Sequence, residues 1–512
     1  MKMKSFFTLL VACFATTALV ACSDDSNDNG GGIPVSQLTV RPQSLSFDSE
    51  GGEQVIRAQA PSQATASSSA DWCQVTVGTQ YGDVKITPVT VTVAANPTTY
   101  ERTAVITITA GSQTETVSVT QAEGSATIPS GSITKGAQDI AALMYPGWNL
   151  GNTLEATGSG LGAETSWQPT RTTQQIIDAV KAAGFRSVRI PCSWDIHSTN
   201  GTIDAEWLAR VRQVVDYCIN DGLYVVLNDH WDNGWIEVLG FSKSSSSYQP
   251  VDESDITAKI SRLKELWTQI ATAFSDYDEH LLFAGLNEPF QEYTLFSTRH
   301  AELTPILVRY NQAFVEAVRA TGGNNAQRTL VVQGPSTSIN SSVQYMPASV
   351  LPEAAGRLMV EVHYYDPGQF CGTYDASGDK AYYYWGADNH GPDHNPTYGE
   401  ETYLNSQFAK LKTTYTSKGY PVIIGEYAAL QRTITAGDQT KHDASVKHYY
   451  KYLNAQAIRN GIVPFAWDTN DTSGLGKESG STTIIDRAKV SVIGSNAMKG
   501  IQEAVAETTW NN

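Results

Sequence analysis

Two glutamates stand where apolar runs give way to loops. Glu288 lies in "GLNEPF", directly after "EHLLFA", and Glu426 lies in "YPVIIGEY". A carboxylate at the end of a buried run, with Asn287 before it and Pro289 after it, is displayed rather than hidden. Similar breaks recur along the chain. Arg189 stands near the end of "RSVRIP", His230 follows "LYVVLN", His363 and Tyr365 end "RLMVEVHYY", and Trp467 follows "GIVPFA". Two carboxylates on one rim suit hydrolysis of a glycosidic bond. One protonates the leaving oxygen, and the other acts as nucleophile or as base for water. Environment assigns the roles. Glu288 lies beside the neutral amide of Asn287 with no cation adjacent in sequence, which favours the protonated form a general acid needs. Glu426 follows Gly425, which leaves room at the strand end. Arg189 and Tyr365 could reach it there and favour its ionised form.

Such a gathering requires elements whose ends converge. Short apolar runs alternate with helical periods: "YPGWNLG", "RSVRIP", "LYVVLN", "HLLFAGLN", "RTLVVQG", "RLMVEVHYY", "YPVIIGEY" and "GIVPFAW", with stretches such as "DAEWLARVRQVVDYCINDG" between them. Eight strands with intervening helices predict a (β/α)8 barrel, or TIM barrel, over residues 136–512. The strands are nearly all apolar, as parallel strands buried on both faces must be. Catalytic groups in such barrels sit at the C-terminal strand ends, where Arg189, His230, Asn287, Glu288, His363, Tyr365, Glu426 and Trp467 all fall. A doubly wound open sheet is disfavoured, because no Gly-rich phosphate loop follows the first strand.

Ahead of the barrel the period changes to two. "PVTVTVAA" places Val89, Val91 and Val93 on one face and Thr90 and Thr92 on the other, and "AVITIT" and "TVSVTQ" repeat the alternation. Residues 36–122 therefore read as a small antiparallel all-β sandwich, with residues 123–135 a polar linker. Its aromatics are Phe47, Trp72, Tyr81 and Tyr100. They are too few for an evident sugar platform, and a spacer is the favoured reading. The chain of 512 residues is 41% hydrophobic, enough for large cores, and its formal net charge of -17 disfavours nucleic acid and anionic membrane surfaces. Its 11 Trp and 24 Tyr suit stacking on neutral rings such as sugars.

The N-terminus reads as an export signal. "MKMK" is followed by an apolar run ending in "LVAC". The last four residues resemble the lipobox of bacterial lipoproteins. That resemblance implies removal of residues 1–21, acylation of Cys22 and a flexible tether over 22–35. The acidic residues after Cys22 resemble a surface-export signal, so the expectation is a lipoprotein anchored to the outer membrane and facing outward. Cys73, Cys192, Cys218 and Cys371 fit neither a zinc site nor a disulfide framework. They read as buried thiols, with one disulfide open in an oxidising compartment. Asp388, His390, Asp393 and His394 cluster in the loop 385–401, but their spacing matches no strong ligand motif, so no metal is expected. Trp385 in that loop is a candidate sugar platform.

The motifs also carry a resemblance. "SVRIP", "LNDHW", "LNEP", "EVHYYDP", "IIGEY" and "PFAWDTN", with "GWNLGNTLEA", are similar to the endoglucanase-rich branch of glycoside hydrolase family 5. Residues 36–122 resemble a BACON domain, through "LTVRPQSLSFDSEGGEQVIRAQA" and "TVSVTQA", which implies an immunoglobulin-like sandwich. The family resemblance implies that Glu288 is the acid/base and Glu426 the nucleophile of a retaining endo-glycosidase on β-1,4-linked glycans. It implies that Asn287 contacts a sugar 2-hydroxyl and that Arg189 and Tyr365 hold Glu426. His230 and His363 would line the cleavage subsite, and Trp467 would be its floor. It implies no cofactor and no metal, and a monomer is expected. Many members carry two consecutive histidines after the third strand, whereas here His230 is followed by Trp231, with Trp235 nearby. That departure leaves the preferred polymer open among cellulose-type glucan, xyloglucan, mixed-linkage glucan, glucomannan, mannan and xylan. A non-catalytic glycan-binding protein is the reading from another class, and the presence of both carboxylates argues against it.

Overall fold

The computed structural model describes residues 37–82, 84–96, 101–124, 131–237, 252–290, 293–354, 356–372 and 380–511. The expected signal, tether and Cys22, and also Tyr100, lie outside the described residues. The chain divides into two compact units between Gly124 and Ser125.

The first unit is a pair of four-stranded sheets. One runs Thr39–Arg41, Gly52–Gln59, Ile86–Val93, Cys73–Val77, and the other Ser44–Phe47, Gln113–Gln121, Arg102–Ala110, Thr65–Ser68. The alternation works as expected. Val89, Val91 and Val93 are buried together with Ile56, Ile106, Ile108, Val117 and Val119 in one apolar core. Phe47 belongs to that core, while the guanidinium of Arg102 lies 4.2 Å over the ring of Trp72. Only Tyr81 among the described aromatics of this unit is broadly exposed.

The second unit is a closed parallel barrel. Its strands are β1 (Gly147–Asn149), β2 (Ser187–Ile190), β3 (Tyr224–Asn228), β4 (Leu281–Ala284), β5 (Leu330–Ser338), β6 (Leu358–Tyr364), β7 (Val422–Tyr427) and β8 (Ile462–Ala466), and β8 pairs back onto β1. The eight apolar runs of the sequence are these eight strands. Val226, Leu282, Ala284, Val331, Met359, Ile423 and Val463 pack with Ala137, Ile140, Ala141 and Met144 of the helix Ala137–Met144, which precedes β1. Gly147 is required in this layer, because a Cβ there would lie 2.4 Å from the ring of Phe465. Residues read as linker are already part of this unit. Ile133 is buried, and the backbone N–H of Thr134 donates to Glu279 at 2.8 Å.

Cys73, Cys192, Cys218 and Cys371 are all free and buried, so the disulfide left open by the sequence does not form among them. Burial pushes the thiols of Cys192 and Cys218 well above their ordinary values, as expected of inert packing groups. Among the described residues no helix is long and apolar enough to cross a membrane.

Candidate active site

The strand interior changes character toward the C-terminal ends. On β2, β5 and β6, side chains that face the barrel axis are Arg189, Gln333 and Glu361, all fully buried. Register places Arg189 opposite Asn149 and Gln333 opposite Glu361. Arg189 acts as the hub. Its Nε lies 2.9 Å from Glu361, one terminal nitrogen donates to Asn149 (3.0 Å) and Glu426 (3.1 Å), and the other donates to Asn287 (2.6 Å). A guanidinium only donates, so the contact fixes Asn287 with its oxygen toward Arg189 and leaves its amide nitrogen as the donating end.

Glu426 reaches the rim through an irregularity. Val362 of β6 pairs with Ile424, but the next residue, His363, pairs with Glu426, so Gly425 is the extra residue of a bulge. Glycine is needed there because a Cβ would lie 1.9 Å from the Glu361 carboxylate. The sequence reading credited Gly425 with giving room at the strand end, and the group that uses this room is Glu361. Glu426 then accepts from Arg189 at 3.1 Å and from the Tyr365 hydroxyl at 2.9 Å. Burial pushes its carboxyl up, and neighbouring Glu288 adds to this, while His363, Arg189 and the Tyr365 hydroxyl favour the anion.

Glu288 follows β4 and is partly open, with 22% of its side chain exposed. The expectation of a neutral setting without a cation is corrected. His363 places Nδ1 2.7 Å from Glu288, a contact made by a residue 75 positions later that no local reading reveals. Burial disfavours a charge on His363, but Glu426, Glu288 and Glu361 outweigh it and raise the imidazole to about 9. One oxygen of Glu288, one of Glu426 and a ring nitrogen of His363 lie within 4.8 Å of one another. Carboxylates so close fall short of the ~6.5–9.5 Å needed to seat a water between acid and base, and match the closer spacing of retaining glycosidases.

The remaining predicted groups frame this pair. His230 follows β3; its Nδ1 is 3.2 Å from Asn228, and its ring lies parallel to Trp467 at 6.0 Å. Burial, Arg189 and His363 hold His230 well below its ordinary value. Trp467 is half-buried, and its backbone N–H donates to Tyr427. Next to it, Asp468 accepts from the indole of Trp148 (3.0 Å) and from the N–H groups of Ile484 and Ile485, which ties down the loop after β8. Gly151 lies beneath the Trp467 ring, where a Cβ would approach it to 3.0 Å. Trp231 is 43% exposed, and Trp235 is half-buried.

The structure therefore gathers Arg189, Asn287, Glu288, His363, Tyr365 and Glu426 in one contact network, with His230 and Trp467 paired beside it. Sequence reasoning missed Asn149, Gln333 and Glu361. A signal for Glu361 existed: it is a lone charge in the apolar run "LMVEVHYY", two residues before His363 and so on the same strand face. Trp385 is corrected as a platform. It is fully buried and its indole donates to Gly399 at 2.9 Å. In the same loop His390 is 2.8 Å from Glu400, Asp393 pairs with Lys380, and the His394 ring stacks on Tyr383 at 3.9 Å.

Comparison with known proteins agrees with this geometry. Residues 154–473 match the model of cellulase (glycosyl hydrolase family 5), and residues 62–122 match BACON, a putative N-terminal binding domain. The chain is 37% identical over 348 residues to endoglucanase A of Paenibacillus barcinonensis, covering 65% of this chain and 82% of that protein. It is 33% identical over 484 residues to a xyloglucan-specific endo-β-1,4-glucanase of Bacteroides ovatus, covering 90% of each. A crystal structure of a xyloglucan-specific β-1,4-glucanase from a ruminal metagenomic library, in complex with XXLG, is 78% identical. It covers 74% of this chain and 98% of that one, with a TM-score of 0.71. With strands, rim carboxylates and relatives in agreement, the chain belongs to glycosyl hydrolase family 5 and is an endo-β-1,4-glucanase with an N-terminal BACON domain.

Proposed function

We propose that the chain is a xyloglucan-cleaving endo-β-1,4-glucanase in which Glu288 is the acid/base and Glu426 the nucleophile. The likeness to the ruminal xyloglucan-specific glucanase carries the substrate reading, because it extends across nearly all of that protein. In the first step Glu426, oriented by Arg189 and Tyr365, attacks the anomeric carbon while Glu288 passes its proton to the departing glycosidic oxygen. In the second step Glu288, now a carboxylate, takes a proton from water as that water displaces Glu426. Two inversions give net retention. Asn287 presents its amide N–H groups for a sugar hydroxyl, and Trp467 offers a flat face to the ring.

Initial rates on xyloglucan, carboxymethyl cellulose, mixed-linkage glucan, glucomannan and xylan test the substrate. Xyloglucan is expected to be cleaved fastest, with a β-anomer seen first by NMR. Faster cleavage of mixed-linkage glucan or glucomannan removes the xyloglucan assignment, and an α-anomer removes the nucleophile assignment.

The location of the enzyme is part of the same reading. The "LVAC" sequence supports a lipoprotein acylated on Cys22 and displayed at the outer membrane. Incorporation of labelled palmitate that is lost in Cys22→Ala, together with protease accessibility on intact cells, is the expected result. Release of unlabelled wild-type protein into the medium contradicts it.

A further inference from the structure

Glu361 is fully buried below the two rim glutamates, and double displacement itself requires no third carboxylate. Its oxygens meet Arg189 Nε at 2.9 Å, His363 Nε2 at 3.3 Å and the Gln333 amide at 2.6 Å. Gln333 is itself held, since its oxygen accepts from the backbone N–H of Leu286 at 2.8 Å, one residue before Asn287. The bulge at Gly425 clears the space that Glu361 fills. Charged and titratable groups face this centre from most of the barrel. They are Arg189 of β2, His230 after β3, Glu288 after β4, Tyr365 after β6 and Glu426 of β7.

We propose that Glu361 is a positioning residue for the reaction: it holds His363 as an imidazolium aimed at the acid/base Glu288. One ring nitrogen faces Glu361 and the other faces Glu288, so both are turned to carboxylates. An imidazole donating at both nitrogens is the cation. Glu361 keeps its charge because Arg189 and His363 overcome the burial that opposes it, holding its carboxyl below the ordinary range. A cationic His363 steadies Glu288 in the carboxylate form that it takes after protonating the leaving group and uses to activate water.

The inference rests on reading Glu288 as the acid/base, and the test separates the two. Ring 15N resonances of His363, followed by NMR against pH in the full chain without substrate, report its charge directly. In the wild type the imidazolium is expected at neutral pH; a neutral ring there overturns the proposal whether or not any variant folds. In Glu361→Gln the His363 midpoint is expected to fall by about one pH unit or more, the usual effect of removing a neighbouring opposite charge. Because His363 then loses its proton at lower pH, the alkaline limb of kcat is expected to move to lower pH with it. A lower rate with both the NMR midpoint and the pH limbs unmoved overturns the proposal and leaves Glu361 a structural residue. If the midpoint falls while Glu288→Ala shows no acid/base phenotype, the assignment of Glu288 fails, not the role of Glu361 toward His363.

Discussion

The sandwich and the barrel bury polar groups in opposite ways. In the sandwich, Gln121 is fully buried but neutral, and its amide donates to the carbonyls of Asp48, Ser49 and Ala94. Its oxygen accepts from Arg102 at 2.8 Å, and the other polar residues buried in the described sandwich, Thr87 and Asn96, are neutral too. At the barrel mouth the buried groups are charged, and they satisfy one another: Arg189 with Glu361 and Glu426, His363 with Glu361 and Glu288. Burying charge is costly unless it is fully paired, and an apolar replacement of similar volume is often at least as stable. A fold that keeps several such charges in one layer is holding groups for chemistry. A fold whose described buried polar groups are all neutral is built for stability. Among the described residues, the contrast puts the buried charged network of the candidate site in the barrel unit.

The sharpest way to break this contrast is to remove the proposed nucleophile. Glu426→Ala should lower kcat on polymer by about four orders of magnitude or more, as loss of a member of a covalent catalytic unit does. Azide should restore turnover and give the inverted glycosyl azide. Substantial residual activity without azide would sink the assignment. Glu288→Ala comes next. Loss of general acid catalysis costs about 10²–10⁴ on polymer, and aryl glycosides with acidic leaving groups should escape much of that loss in the first step. Equal loss on both substrate types would mean that Glu288 does not deliver the proton.

A smaller effect is expected at Trp467. Replacement by Ala removes an aromatic face of roughly 1–3 kcal/mol, so kcat/KM should fall by about one to two orders of magnitude with little change in melting temperature. A large drop in melting temperature with unchanged kinetics would make the ring a packing residue. In the sandwich the balance should reverse. Ile106→Ala empties a fully buried site and should cost that unit about 2–5 kcal/mol, while kcat/KM on soluble xyloglucan stays unchanged. A matching fall in activity would show that the two units are coupled.

The smallest effect is expected from deleting residues 36–122. Hydrolysis of soluble polymer should not change, because the described catalytic network draws on barrel residues alone. Of the sandwich's described aromatics, Phe47 is core, Trp72 is covered by Arg102, and Tyr81 is exposed by itself. Affinity electrophoresis of the sandwich in gels containing xyloglucan, glucan or mannan should therefore show no retardation. Retardation would convert the spacer into a binding module.

The sequence by itself determined the architecture and most of the rim. Period-two alternation marks the sandwich because successive strand residues face opposite sides. Unbroken apolar runs mark barrel strands because both faces are covered. Glu288, Glu426, His363 and Arg189 were visible as polar interruptions of such runs. Tertiary structure alone decided how these residues meet. The His363–Glu288 contact joins β6 to the end of β4, and the Gly425 bulge turns Glu426 inward over Glu361. It also decided that Trp385, an aromatic in a polar loop, is buried. Local pattern reports which face a residue takes on its own strand. The electrostatic setting of a buried charge depends on neighbours supplied by other strands, across a distance in sequence that no periodicity spans.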